Sequence, residues 1–130
     1  MDGKAKIETL TNSWYGYAVA AGIYSLLQSG IGFFSIFFVG MATLFSFFLT
    51  WFIGRRLLKK SGLTRVICIV VSAITSVLGT LGVAKMGWTF IADDHSMSVL
   101  AATVFGAITL SMHVRSLRVL TSSEVKSYYR

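Results

Sequence analysis

The chain has 130 residues, of which 55% are hydrophobic and only 13% are charged, and its formal net charge is +7. Because average soluble domains contain about 25% charged residues, this composition leaves no room for a soluble catalytic domain. Nucleic-acid binding is also disfavoured, since the basic residues flank apolar segments and form no separate polar domain. The single cysteine, Cys68, can supply neither an intrachain disulfide nor a cysteine-based metal cluster.

Four apolar segments follow one another and predict a single all-α transmembrane domain over residues 1–130. The predicted spans are residues 13–29, 33–53, 66–84 and 96–114, and a basic tail occupies residues 115–130. Short polar or glycine-containing connections between them predict two antiparallel hairpins.

The positive charges are distributed unevenly over the connections. Of the 12 Lys and Arg residues, all except Lys85 lie before the first span, between the second and third spans, or around the C-terminal tail. By the positive-inside rule this predicts that both termini are cytoplasmic, and we expect a bacterial inner membrane. Seven of these residues are expected to bind anionic lipid headgroups or a partner: Arg55, Arg56, Lys59, Lys60, Arg65, Arg115 and Arg118.

The first span is rich in small residues. Gly16, Ala18 and Gly22 occur at spacings that let another helix approach closely, so we expect them to pack against a neighbour. Tyr24 and Gln28, one helical turn apart, are expected to form interhelical hydrogen bonds or to anchor the helix at the interface.

The second span is the most aromatic, and its phenylalanines cover more than half of its circumference. We expect this face to contact lipid or partner helices. The helix is expected to continue beyond the span into its basic end, where long basic side chains can reach the headgroups.

The third span carries a stripe of hydroxyls, Ser72, Thr75, Ser76 and Thr80, beside two glycines expected to pack helices, Gly79 and Gly82. Two interpretations are open. The hydroxyls bond to carbonyls of their own helix, or they line a pore or substrate path.

An outer connection is predicted at residues 85–95, with Asp93 or Asp94 capping the fourth helix. In the fourth span, Ala102 and Gly106 are expected to pack against another helix. A capping-box pattern beginning at Thr121 then predicts a last short helical turn.

Reactive groups are sparse in the spans. No Asp, Glu, Lys or Arg lies in the middle of any span, and His95 and His113 lie near opposite ends of the fourth span. Coupled carriers need an ionisable group at membrane depth, so coupled transport is disfavoured. We therefore expect no enzymatic activity, no catalytic or metal-binding residue and no cofactor.

These observations favour a non-enzymatic subunit that works by helix packing in a homo- or hetero-oligomeric membrane complex. The first alternative is a homo-oligomeric pore or membrane-perturbing effector of the holin or phage-defence type. The second is an immunity or exclusion protein that acts on a partner's transmembrane helices. The expected partners are anionic lipids and other membrane subunits or copies of the chain.

Overall fold

The computed structural model describes residues 2–130, which form five α-helices. They are α1 (Gly3–Ser29), α2 (Phe33–Leu58), α3 (Gly62–Ala92), α4 (Met97–Leu120) and α5 (Ser123–Tyr128). The expected all-helical fold is confirmed for this part of the chain. Three of the helices, α2, α3 and α4, are long and apolar enough to cross a membrane, as expected of an integral membrane protein.

The first helix differs from these three. α1 has 27 residues, but tyrosine, serine and amide side chains dilute its apolar residues. It begins at Gly3, well before the predicted span at residue 13. The carboxylate of Asp2 accepts the backbone N–H of Ala5 at 2.7 Å and so caps this longer helix.

The connection between α3 and α4 is shorter than predicted. α3 continues to Ala92, so most of the connection expected at residues 85–95 is helical. The expectation that Asp93 or Asp94 caps α4 is wrong, because Ser96 is the N-cap and its hydroxyl accepts a backbone N–H of the first turn. Asp94 instead accepts the backbone N–H of Ser96 at 2.9 Å.

The short C-terminal helix α5 forms as expected, although its cap lies one residue later than the sequence pattern indicates. Ser122, and not Thr121, is the N-cap, and its hydroxyl accepts the N–H of Val125. The hydroxyl of Thr121 bonds to the carbonyl of Leu117 within α4 at 2.7 Å.

The four long helices of residues 2–130 lie in a row, in the order α2, α1, α4, α3. Neighbours in the row are antiparallel, with α1–α2 and α3–α4 as the two hairpins. Within the described chain α1 does not contact α3, α2 does not contact α4, and α2 touches α3 only slightly. Both termini and the α2–α3 connection lie at the same end, which we call the terminal end.

The hydrophobic core lies at this terminal end. The five large side chains that are fully buried in the described chain form what we call the terminal core: Ile7, Leu10, Leu57, Leu120 and Val125. By contrast, the buried share of the most apolar window is 0% in α2, 6% in α3 and 0% in α4. Dense apolar packing is therefore concentrated outside the predicted spans.

Candidate interaction surfaces

The C-terminal residues close over the end of α2. The Tyr128 hydroxyl donates to the Leu58 carbonyl, and the Tyr129 hydroxyl donates to the Leu57 carbonyl at 2.7 Å. These carbonyls belong to the last turn of α2, where partners within the helix run out. The two tyrosines therefore complete the end of α2 with donors from α5 and the residue that follows it. We call this arrangement the tyrosine closure.

Charged groups lie close to the tyrosine closure. The Arg65 guanidinium lies 5.2 Å from the centre of the Tyr129 ring, and its Nε donates to the Leu120 carbonyl at 2.9 Å. Burial raises the pKa of Tyr129 to about 12, and the positive charge of Arg65 opposes that rise. Nearby, Lys6 and Glu124 form an ion pair at 3.0 Å. Hydrogen bonds from its own backbone N–H and then from Lys6 lower the pKa of Glu124 to about 2.

Polar side chains join α1 to α4. The Trp14 indole N–H donates to the Ser116 hydroxyl at 2.9 Å, and the Tyr17 and Thr109 hydroxyls lie 3.0 Å apart. Each pair satisfies polar atoms that the row of helices removes from water. The sequence gives little indication of this contact, since 92 residues separate one pair and 102 the other, and only the fold brings them together.

Tyr24 contacts α4 by ring stacking. Its ring and that of Phe105 are nearly parallel, with an interplanar angle of 7° and centroids 4.3 Å apart. Gln28 is exposed near the C-terminal end of α1. The two residues share one prediction, interhelical hydrogen bonding or anchoring at the interface, but they lie in different environments.

Three of the glycines predicted to pack helices lie against a neighbouring helix. A Cβ on Gly22 would lie 2.8 Å from the Thr43 hydroxyl oxygen of α2. A Cβ on Gly106 would lie 3.0 Å from the Met86 methyl of α3, and one on Gly79 would lie 3.4 Å from a leucine of α4. A side chain at Gly22 would therefore displace the Thr43 hydroxyl and one at Gly106 would push the flexible Met86 side chain aside, whereas Gly79 has room for a Cβ at ordinary contact distance.

The other predicted packing residues are in mixed positions. Ala18 is buried and Ala102 is half-buried. Gly16 and Gly82 face open space, with no atom of a non-adjacent described residue within 4 Å of a Cβ placed on them, apart from their own helix backbone. Neither glycine is used for close packing within the described chain.

Two further close-packed glycines lie outside the predicted small-residue stripes. A Cβ on Gly54 would lie 2.9 Å from the methyl group of Thr11, and one on Gly3 would lie 2.7 Å from the Cβ of Tyr128. Both positions are at the terminal end, where the helices extend past the predicted spans. The sequence patterns within the spans could not have identified them.

The hydroxyls of the predicted α3 stripe bond within their own helix. Thr75 and Thr80 donate to carbonyls one turn earlier at 2.6 Å and 2.8 Å, and Ser76 donates to the Ser72 carbonyl at 2.6 Å. Ser72 itself is buried. These donors need no second helix and no permeating species to be satisfied. A pore-lining role stays a prediction.

The basic residues predicted to bind lipid or a partner all lie near the terminal end, and several stack on aromatic rings. Arg55 lies over Trp51 at 5.4 Å, and Arg56 lies over Phe52 at 5.3 Å. Lys60 lies over Tyr128 and Arg65 over Tyr129. The remaining three are exposed: Lys59, Arg115 and Arg118.

The described residues contain no group of three or more His, Cys, Asp or Glu side chains placed to hold a metal ion. Comparison of the chain with protein-family models, curated proteins and solved structures found no match.

Proposed function

We propose that this protein is a non-enzymatic membrane subunit that packs its spanning helices against those of further subunits, either copies of itself or other membrane proteins. One observation carries the proposal: the large fully buried side chains all lie at the terminal end, whereas almost none of the most apolar part of α2, α3 and α4 is buried, although these helices pack in pairs. A row of four helices gives each helix at most two neighbours, and two of the predicted packing glycines, Gly16 and Gly82, meet no neighbour within the described chain. Helices in a membrane gain stability from such close packing.

We propose further that α1 is the fourth span. It packs between α2 and α4 from near the terminal end, where Thr11 meets Gly54, to Gly22 opposite Thr43. A helix held so closely between two spanning helices accompanies them through the bilayer. The short Gly30–Gly32 connection, with Gly30 at a φ of 83°, returns the chain directly into α2.

The same reasoning gives the orientation. All of the Lys and Arg residues except Lys85 lie at the terminal end or within its adjoining turns, so the positive-inside rule places this end in the cytoplasm. In a bacterium the membrane would be the inner membrane.

Assembly is a better explanation than a pore. A pore needs polar groups that face the conducted species, whereas the α3 hydroxyls already have acceptors in their own helix. The open glycines require only another helix.

Photo-crosslinking from two positions at similar depth tests the proposal. A photoreactive phenylalanine replaces either Gly82 or Phe37. At Gly82 an added Cβ meets open space, and Phe37 is an exposed aromatic residue of α2. We expect irradiation of intact membranes to link position 82 to another protein chain and position 37 mainly to lipid. Equal protein capture at the two positions, or none at position 82, would contradict the proposed packing.

A further inference from the structure

A groove at the terminal end combines an apolar wall with basic side chains. Its volume is about 720 Å³, and it lies along α4 beside the N-terminal part of α1. Ala107, Leu110 and Val114 form the wall that lies deeper in the predicted span. Arg115, Arg118 and Lys6 lie at its terminal end, so polarity changes along the groove as it does along a phospholipid.

The positive charge in this groove is largely uncompensated. Lys6 is paired with Glu124. The guanidinium groups of Arg115 and Arg118, one helical turn apart, make no ion pair, hydrogen bond or ring contact with any described residue. They differ in this from Arg55, Arg56 and Arg65, whose guanidinium groups stack on aromatic rings.

The dimensions of the groove also fit a lipid. Ala107 and Val114 are seven residues apart, which corresponds to about 10 Å along a helix, or two thirds of one leaflet's hydrocarbon thickness. Arg115 and Arg118 follow directly, at the depth where the helix leaves the predicted span. An acyl chain along the wall would therefore bring a phosphate to the two guanidinium groups, which bind phosphate oxygens with paired donors.

We infer that this groove is a binding site for one anionic phospholipid, with its phosphate between Arg115, Arg118 and Lys6 and one acyl chain along Ala107, Leu110 and Val114. The lipid belongs to the leaflet at the terminal end. The inference requires α4 to span the membrane but does not require the protein to assemble.

Native mass spectrometry of the full-length protein tests this site. The purified protein is incubated in micelles with phosphatidylglycerol or phosphatidylcholine, and retained lipid is counted. We expect phosphatidylglycerol to be retained preferentially. In the double variant Arg115→Gln/Arg118→Gln its affinity should fall about tenfold or more, because each basic side chain near an anionic lipid contributes roughly fivefold.

A matched control separates the site from general charge attraction. Lys4→Gln/Lys126→Gln removes the same charge from exposed positions at the same end that do not line the groove, and it should retain phosphatidylglycerol as the wild type does. Equal losses in the two double variants, or equal retention of the two lipids by the wild type, would overturn the inference.

A second variant tests the apolar wall of the groove. Ala107 is exposed, so Ala107→Phe should fold and should fill the wall of the groove. We expect it to lower phosphatidylglycerol retention severalfold with the arginines intact. If retention is unchanged, no acyl chain lies along this wall, and the proposed site is wrong. The same spectra count protein chains, so loss of lipid and loss of assembly are read separately.

Discussion

Lys60 has a left-handed backbone conformation, with a φ of 61°. It follows α2, and the N–H groups of Lys60 and Ser61 bond back to the carbonyls of Leu57 and Arg56. This pattern is a Schellman motif, in which the left-handed position is usually glycine because a Cβ there is costly. Here a lysine occupies that position, and its Nζ lies 4.9 Å from the centre of the Tyr128 ring.

Replacement of Lys60 should therefore make the glycine variant more stable than the alanine variant, which is the reverse of their usual order in a helix. Both Lys60→Gly and Lys60→Ala lose the contact with Tyr128, but only alanine keeps the strained Cβ. We expect the glycine variant to be more stable by about 1 kcal/mol, the typical cost of a left-handed non-glycine residue. Chemical unfolding in detergent measures the difference. An alanine variant at least as stable would show that residue 60 is not left-handed.

The raised pKa of Tyr129 predicts that the tyrosine closure loses stability at alkaline pH. Its pKa is raised to about 12, so its contribution to stability is complete below the ordinary value near 10 and is lost as pH rises through 12. Ionisation removes the proton that Tyr129 donates to the Leu57 carbonyl. We expect Tyr129→Phe to cost about 1 kcal/mol at neutral pH, the typical contribution of one hydrogen bond.

Ultraviolet titration provides the check. The difference in phenolate absorbance between wild type and Tyr129→Phe should have a midpoint near 12. The stability difference between the two proteins should shrink above pH 10. A midpoint at the ordinary tyrosine value would mean that Tyr129 is not buried at the closure.

The elements illustrate what the sequence could and could not predict. The apolar runs correctly placed three helices that are long and apolar enough to span a membrane, because this property depends on hydrophobic length alone. Helix ends were less predictable: Asp2 extends α1 backward, and α3 continues through Lys85 to Ala92. These ends depend on capping bonds and on packing beyond the spans, which hydropathy does not encode.

Contacts between elements were harder still to predict. The α5 contacts on the last turn of α2 join residues about 70 positions apart. Small-residue spacing predicted Gly22 as a packing site, but it could not show that Thr43 is the residue it meets. Nor could it separate Gly22 from Gly16, which has an equivalent small-residue spacing in the same helix and faces open space.

This pair of glycines makes a matched test of the α1–α2 hairpin. A Cβ at Gly22 would collide with the Thr43 hydroxyl at 2.8 Å, so Gly22→Val should cost about 1–3 kcal/mol, as overpacking typically does. Gly16→Val meets no described side chain and should be neutral or slightly stabilising, because valine has a higher helix propensity than glycine. Thermal unfolding of the two variants in detergent compares them. Equal destabilisation would mean that α1 does not pack on α2 through Gly22.

At the scale of the whole molecule, side chains are densely packed at the terminal end and less densely packed along the apolar helices. The terminal core, the tyrosine closure and the Lys6–Glu124 pair tie four of the five helices together at one end. Towards the opposite end the long helices form a row with little buried apolar surface. The described chain therefore has its densest packing at the terminal end and leaves many large apolar side chains of the long helices exposed.

The most direct test of this account is the intact mass of the assembly after gentle extraction from the membrane. We predict a particle that contains more than one copy of the chain, or the chain together with another membrane protein. A particle with a single copy and no other protein, at every concentration and in every mild detergent tried, would contradict the central claim that the open helices complete their packing in an assembly.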